Sequence, residues 1–220
     1  MLVSRQSDSG QEVGSASIGV KAGPRARTGR LMLETATRLM QSGVTPSVSE
    51  VAEAAGVSRA TAYRYFPSQA ALVDAVVDEA LGPILSWRPV GDDAAKRVAE
   101  LVDTGLPRIE AFEATFKAAL KLSLEQWAKG HAGTLGEEQP FSRGHRIDLL
   151  KTALHPLEGK ISATSLDRLA QGLSLVFGVE TLTVLKDIWK LDGQETKSVA
   201  QWVAGALVQA ALEEGGVDRH

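Results

Sequence analysis

The sequence predicts an all-α fold, on three observations. Its apolar residues make up 44% of the chain and are dominated by alanine, leucine and valine. Aromatics are only 5%, a mixture poor in the β-branched alternation that builds sheets. Apolar positions recur three and four apart in successive segments, and serine, aspartate, glycine and proline fall between those segments, where helices start and stop.

Residues 1–27 carry Ser, Gly and charge without a helical or strand period and read as a disordered tail. Its end, in the stretch KAGPRARTGR, is basic. The plainer reading is a solvated leader, and the sharper one is an arm on a nucleic-acid backbone or minor groove. Thr28 is the expected N-cap of a first helix, with Leu31, Ala36, Leu39 and Met40 at helical spacing and Gly43 as its terminator. In TPSVSEVAEAAG, Ser47 and Glu50 form the S-x-x-E capping box, and Val48, Val51, Ala52 and Ala55 line one face. That second helix has room for about two turns before Gly56, whose corner favours a residue tolerant of positive φ. A third short helix runs from Ser58 to about Phe66. Pro67 and Ser68 separate it from a fourth, QAALVDAVVDEAL. Residues 28–66 therefore read as a three-helix head of helix-turn-helix pattern, and 67–82 as a linking helix.

Residues 83–220 continue as helices. Pro83 and WRPVGDD precede a fifth helix starting near Asp92, and Pro107 is expected to open a long helix through RIEAFEATFKAALKLSLEQWAKG. HAGTLGEEQPFSRG reads as a loop, and HRIDLLKTALHPLEGKI as a helix ending near Pro156. Residues 165–190 read as one helix, apolar over most of its circumference. The last helix presents an apolar face with small residues at Ala200, Ala204 and Gly205. Two such helices exceed what one core of this size needs, so they are expected to pair with a second copy. The candidate interface is Leu173, Phe177, Val184, Trp202, Val203, Ala206, Leu207 and Ala210.

Both tyrosines of the chain lie in GVSRATAYRYFPSQ. Successive helical residues turn by about 100°, so Tyr63 and Tyr65 stand roughly 200° apart and cannot both be core. Ala62 and Phe66 share the inward face. Arg59, Ala60, Tyr63 and Arg64 form the opposite arc, with Thr61 and Tyr65 on its flank. Arginine offers guanine O6 and N7 a bidentate fork, and Thr or Tyr hydroxyls bond phosphates, so this helix suits a DNA major groove. An exposed amphipathic helix whose tyrosines cover neighbouring core is the plainer reading.

The run SVSEVAEAAGVSRATAYRYFPSQAAL resembles the helix-turn-helix of the tetracycline-repressor (TetR/AcrR) family of bacterial regulators. That family's pattern runs roughly T/S-x-x-x-I/V-A-x-x-A-G-V-S-x-x-T-L-Y-x-Y/H-F-x-x-K, and the likeness covers residues 28–81 in detail. It implies base-facing roles for Arg59, Ala60, Thr61, Tyr63 and Arg64. It also implies phosphate contacts from Tyr65, Ser47 and Tyr63. Ala62 stands where the family has a larger aliphatic, and Gln69 where a lysine meets phosphate. The resemblance further implies an all-helical homodimer of about nine helices, joined through its last two, with an effector cavity in the body.

Charge and chemistry are compatible with this. Residues 1–66 carry eight Lys or Arg against five Asp or Glu, a net +3, which leaves −6 for the remainder of a chain whose net is −3. No cysteine is present, which excludes disulfides and thiolate catalysis. No apolar run is long enough to span a membrane, and the N-terminus lacks the apolar core of a secretory peptide, so the expected location is the cytoplasm. His131, His145, His155 and His220 lack chelating spacing, and no metal or cofactor is expected. No nucleophile, metal-hydrolase or phosphate-loop motif occurs, so no enzyme is expected.

Phe112, Phe116, Trp127 and Phe177 are candidate linings for a small, largely apolar effector, or plain core. Glu180, inside LSLVFGVETLTVL, needs a donor or water, and is a candidate for a ligand's polar group or an interface bond. The sequence thus predicts a dimeric DNA-binding regulator, most simply a repressor. The alternatives are a ligand-binding or protein-docking dimer without DNA recognition and, more remotely, a helical-bundle enzyme.

Overall fold

Serine and aspartate side chains cap at least five of the helices, among them those at Ser47 and Ser68 that the sequence predicts. The computed structural model describes residues 23–137, 140, 141 and 144–217; the expectation for residues 1–22 lies outside these. The helices are α1 (Pro24–Gln41), α2 (Val48–Ala54), α3 (Arg59–Tyr65), α4 (Gln69–Leu81), α5 (Ala94–Ala111), α6 (Glu113–His131), α7 (His145–Leu154), α8 (Ala163–Leu173), α9 (Val179–Leu182) and α10 (Gly193–Val217). No strand occurs among the described residues.

Ser58, Ser68, Asp93 and Ser162 each accept a backbone N–H from three residues on, satisfying a donor that the first helical turn would otherwise leave unpaired. At α2 the capping box is complete. Ser47 Oγ accepts the Glu50 N–H at 3.2 Å, and the Glu50 carboxylate accepts the Ser47 N–H at 2.7 Å. The backbone N–H and the hydroxyl of Ser47 hold the Glu50 carboxyl below its ordinary value. Its contribution is therefore complete above the unfolded pKa and fades as pH falls through the lowered folded one. Ser47→Ala is expected to cost about 1 kcal/mol in a urea melt at neutral pH.

Three helix boundaries differ from the expectation. First, α1 starts at Pro24 rather than after Thr28, so residues 24–27 are helical and not tail. Proline suits a first turn because its φ is preset and its missing N–H would have lacked a partner anyway. Met32, Ala36 and Met40 form the buried stripe of α1, while Leu31 faces out.

Second, Pro107 does not open a helix but lies inside α5, and the break falls at Phe112. A proline in a helix interior costs about 3 kcal/mol. Burial of Val98, Leu101, Val102, Leu106 and Ile109 offsets it, as α5 packs along α10.

Third, the single helix expected over 165–190 is split between Leu173 and Val179, which raises the helix number to ten. Gly178 sits at φ 151° and ψ −177°, a conformation essentially confined to glycine. Beyond it, α9 continues as a π-helical turn, Thr183–Ile188.

The split reassigns two residues expected at an interface. Leu173 is 1% exposed and Phe177 3% exposed, both within the chain's own core. Phe177 lies so close to Gly105 that a β-carbon there would sit 2.5 Å from the ring. Periodicity marked both as apolar but could not say which neighbour would cover them. Val184, Trp202, Ala206 and Ala210 do face outward, and Val203 and Leu207 are half-buried.

α1 and α4 pack on α6, so the head is seated directly on the body. The Thr45 hydroxyl adds a bond to the Ala118 carbonyl of α6 at 3.3 Å.

Candidate functional site

The short helix α3 is held from beneath by Ala62, which is 0% exposed, and by half-buried Phe66 at its C-terminal cap. Packing one face of a seven-residue helix leaves the other open. Arg59, Ala60, Tyr63 and Arg64 occupy that open face. Among the described residues neither Arg59 nor Arg64 has an ion-pair partner. Two guanidinium groups are thus presented to solvent from a helix that its own side cannot rotate away.

The flanking hydroxyls are braced. Thr61 Oγ1 accepts from Ser58 Oγ at 2.9 Å, and the Tyr63 hydroxyl lies 3.4 Å from Ser49 Oγ of α2. Ser47 is half-buried at the cap of α2.

Tyr65 and Gln69 face other duties than those the resemblance implies. The Tyr65 hydroxyl donates to the Arg25 carbonyl of α1 at 2.7 Å, and its ring lies over Gly29. Gln69 Nε2 donates to the carbonyls of Thr45 and Pro46 at 3.2 and 3.1 Å, tying the loop before α2 to the start of α4. Both side chains brace the head itself, and each has its donor engaged by backbone.

In the body, a cavity of about 80 Å³ lies between α4, α5, α6, α7 and the α8–α9 corner. Phe116 and Phe177 line it, together with Val77, Leu81, Ile109 and Leu149. Phe112 does not: at the α5–α6 junction it lies under the Arg108 guanidinium, 4.2 Å from ring centre to charge. Nor does Trp127, which is 69% exposed and stacked on His131. It follows Phe116 by three turns on α6, about 16 Å along the axis, where the helix has run past the cavity.

Glu180 finds its donor in Arg146 at 2.5 Å, just outside the lining. The polar groups that do reach the cavity, His145 and Arg146, were missed from sequence. They open α7 as an ordinary charged first turn, and only the packing of α7 against α5 and α8 brings them to the cavity. His145 Nε2 lies 2.6 Å from the Asp78 carboxylate of α4, and Arg146 Nη1 donates to the Ser174 carbonyl at 2.8 Å. Burial, then the nearby Asp78 charge, pushes the Asp74 carboxyl up, with His145 pulling weakly the other way.

Among the described residues no group of three or more His, Asp or Glu converges as a metal site. Nor is any helix there long and apolar enough to cross a membrane.

A three-helix head with an open, arginine-bearing third helix, seated on a helical body, has the architecture of a helix-turn-helix protein. Residues 32–76 match the profile of bacterial regulatory proteins of the tetR family. The fold is similar to the crystal structure of a tetR-family transcriptional regulator from Streptomyces coelicolor. The two share a TM-score of 0.61 and 17% identity, over 87% of this chain and 86% of that one. No curated protein matches the chain. The likeness to the tetR family therefore rests on the head, residues 32–76, and the overall fold is similar to that of the Streptomyces regulator.

Proposed function

We propose that the chain is a homodimeric repressor that holds a near-palindromic operator through α3 and releases it when a small, largely apolar effector enters the cavity. The open face of α3 carries this reading: Arg59 and Arg64 are exposed and without an ion-pair partner among the described residues, on a helix anchored by fully buried Ala62. Arg59 and Arg64 would fork to guanines across a floor left shallow by Ala60. The Thr61, Tyr63 and Ser47 hydroxyls would meet bases or phosphates at the groove's edge. Tyr65 and Gln69 serve in this reading as braces of the head.

Dimerisation is supported by apolar surface that the monomer leaves uncovered. Trp202 is 75% exposed, and Leu175, Val184, Ile188, Trp189 and Leu212 are exposed with it on the α8–α10 side. Such an acid-rich body with a basic head belongs in the compartment of its DNA, the cytoplasm.

Fluorescence anisotropy on DNA from the chain's own upstream region, against scrambled DNA near physiological salt, tests the proposal. The native sequence is expected to be held at least about a thousandfold more tightly. Light scattering is expected to give twice the chain mass. Equal, weak retention of every fragment in a genome-wide selection would sink the DNA reading and leave a ligand-binding dimer.

A further inference from the structure

The cavity's polar groups specify what enters it. Apart from His145 and Arg146, every lining side chain is apolar. Arginine is a donor only, and His145 Nε2 lies 2.6 Å from the Asp78 carboxylate. Recognition of a polar group on a ligand therefore falls first to the fixed donors of Arg146, which select an acceptor, with His145 beside them. Both already hold carboxylates at short distance: Glu180 on Arg146 at 2.5 Å and Asp78 on His145 at 2.6 Å. An incoming carboxylate exchanges like for like, so Arg146 and His145 each keep an anion beside them. A volume of about 80 Å³, several times that needed for one water, fits a short acid.

We propose, on the reading of this cavity as the effector site, that it takes a short apolar carboxylic acid whose carboxylate bonds Arg146 and His145, drawing His145 from Asp78 and so freeing α4.

The displaced partners sit on the elements that matter for release. Asp78 belongs to α4, which starts four residues after α3 ends. Asp74 stands one turn before Asp78 on the same helix, so loss of His145 leaves two carboxylates beside each other without their α7 partner. Their repulsion favours moving that face of α4 toward water. Arg146 also holds the Ser174 carbonyl and packs against Gly178, so the same ligand touches the α8–α9 corner. Adjacent residues of α7 thus connect one ligand group to the helix under the head and to the corner that leads to the exposed apolar face.

Calorimetry on the full chain, with benzoate, phenylacetate and hexanoate against their primary amides, tests the ligand class. At least one acid is expected to bind ten or more times tighter than its amide. Equal binding of acids and amides, or no binding by any, overturns the assignment. Hydrogen exchange then reads the coupling without DNA. The acid is expected to speed exchange in residues 69–81, and Asp78→Asn to speed it with no ligand while still binding the acid. Exchange in α4 that ignores both the acid and Asp78→Asn overturns the coupling, and His145→Gln repeats the test should Asp78→Asn fail to fold. On DNA, the acid is expected to weaken operator retention by about 5- to 150-fold. A chain that binds the acid but no operator fails as a repressor and keeps its ligand class. A chain that holds the operator but binds no acid loses the ligand class alone.

Discussion

Arg59→Ala is expected to weaken operator binding by about 1–3 kcal/mol, some 5- to 160-fold, while the melting curve stays unchanged. Arg59 is the first residue of α3, exposed, and without an ion-pair partner among the described residues. Removing its side chain strips no packing from the head, so the loss falls on DNA alone. Arg64, one turn and a half further on, should behave alike. The pattern across sequences separates two roles. If Arg59 forks to a guanine, the variant loses preference at one base position and retains non-specific binding. A uniform loss on every sequence, with the salt slope reduced by about one, would make it a phosphate contact. Unchanged retention of the operator by both variants would remove α3 from the interface.

Gly178→Ala is expected to destabilise the fold by about 3 kcal/mol, read as a lower urea midpoint. Two effects act together. The backbone at φ 151° and ψ −177° is essentially closed to a residue with a β-carbon. That β-carbon would also overlap the Arg146 guanidinium and lie 2.9 Å from Glu180 Oε2. Relaxing the clash means moving Arg146 off Glu180 and off the Ser174 carbonyl, which unpins the α8–α9 corner. The same variant should lose affinity for carboxylates, because Arg146 no longer stands in the cavity wall. A midpoint within experimental error of the parent's would refute the strain argument.

Much of the head was legible because its determinants are local. The Ser47–Glu50 box, the Ser58 and Ser68 caps, and Gly56 at φ 64° each act across three or four residues. The inward turn of Ala62 followed from helical phase alone. The roles of Tyr65 and Gln69 did not. Each bonds a carbonyl at least 23 residues away, and nothing near them in sequence announces the partner.

The body was legible as helices but not in its breaks or its site. Pro107 reads locally as a helix start, and only the burial of α5 against α10 keeps it in an interior. Phe177 and Trp202 are both large apolar residues in apolar stretches, yet one fills the space above Gly105 and the other faces solvent. His145 and Arg146 look like any charged first turn until α7 docks. The sequence by itself determined that the chain is all helical and where the head's helices begin. It also placed two arginines on the open face of α3, through capping chemistry and the helical period, which are local. Tertiary structure alone decided which apolar residues became core, where the long helix had to break, and that His145 and Arg146 meet at the cavity. Those outcomes depend on neighbours distant in sequence, and a local pattern carries no information about them.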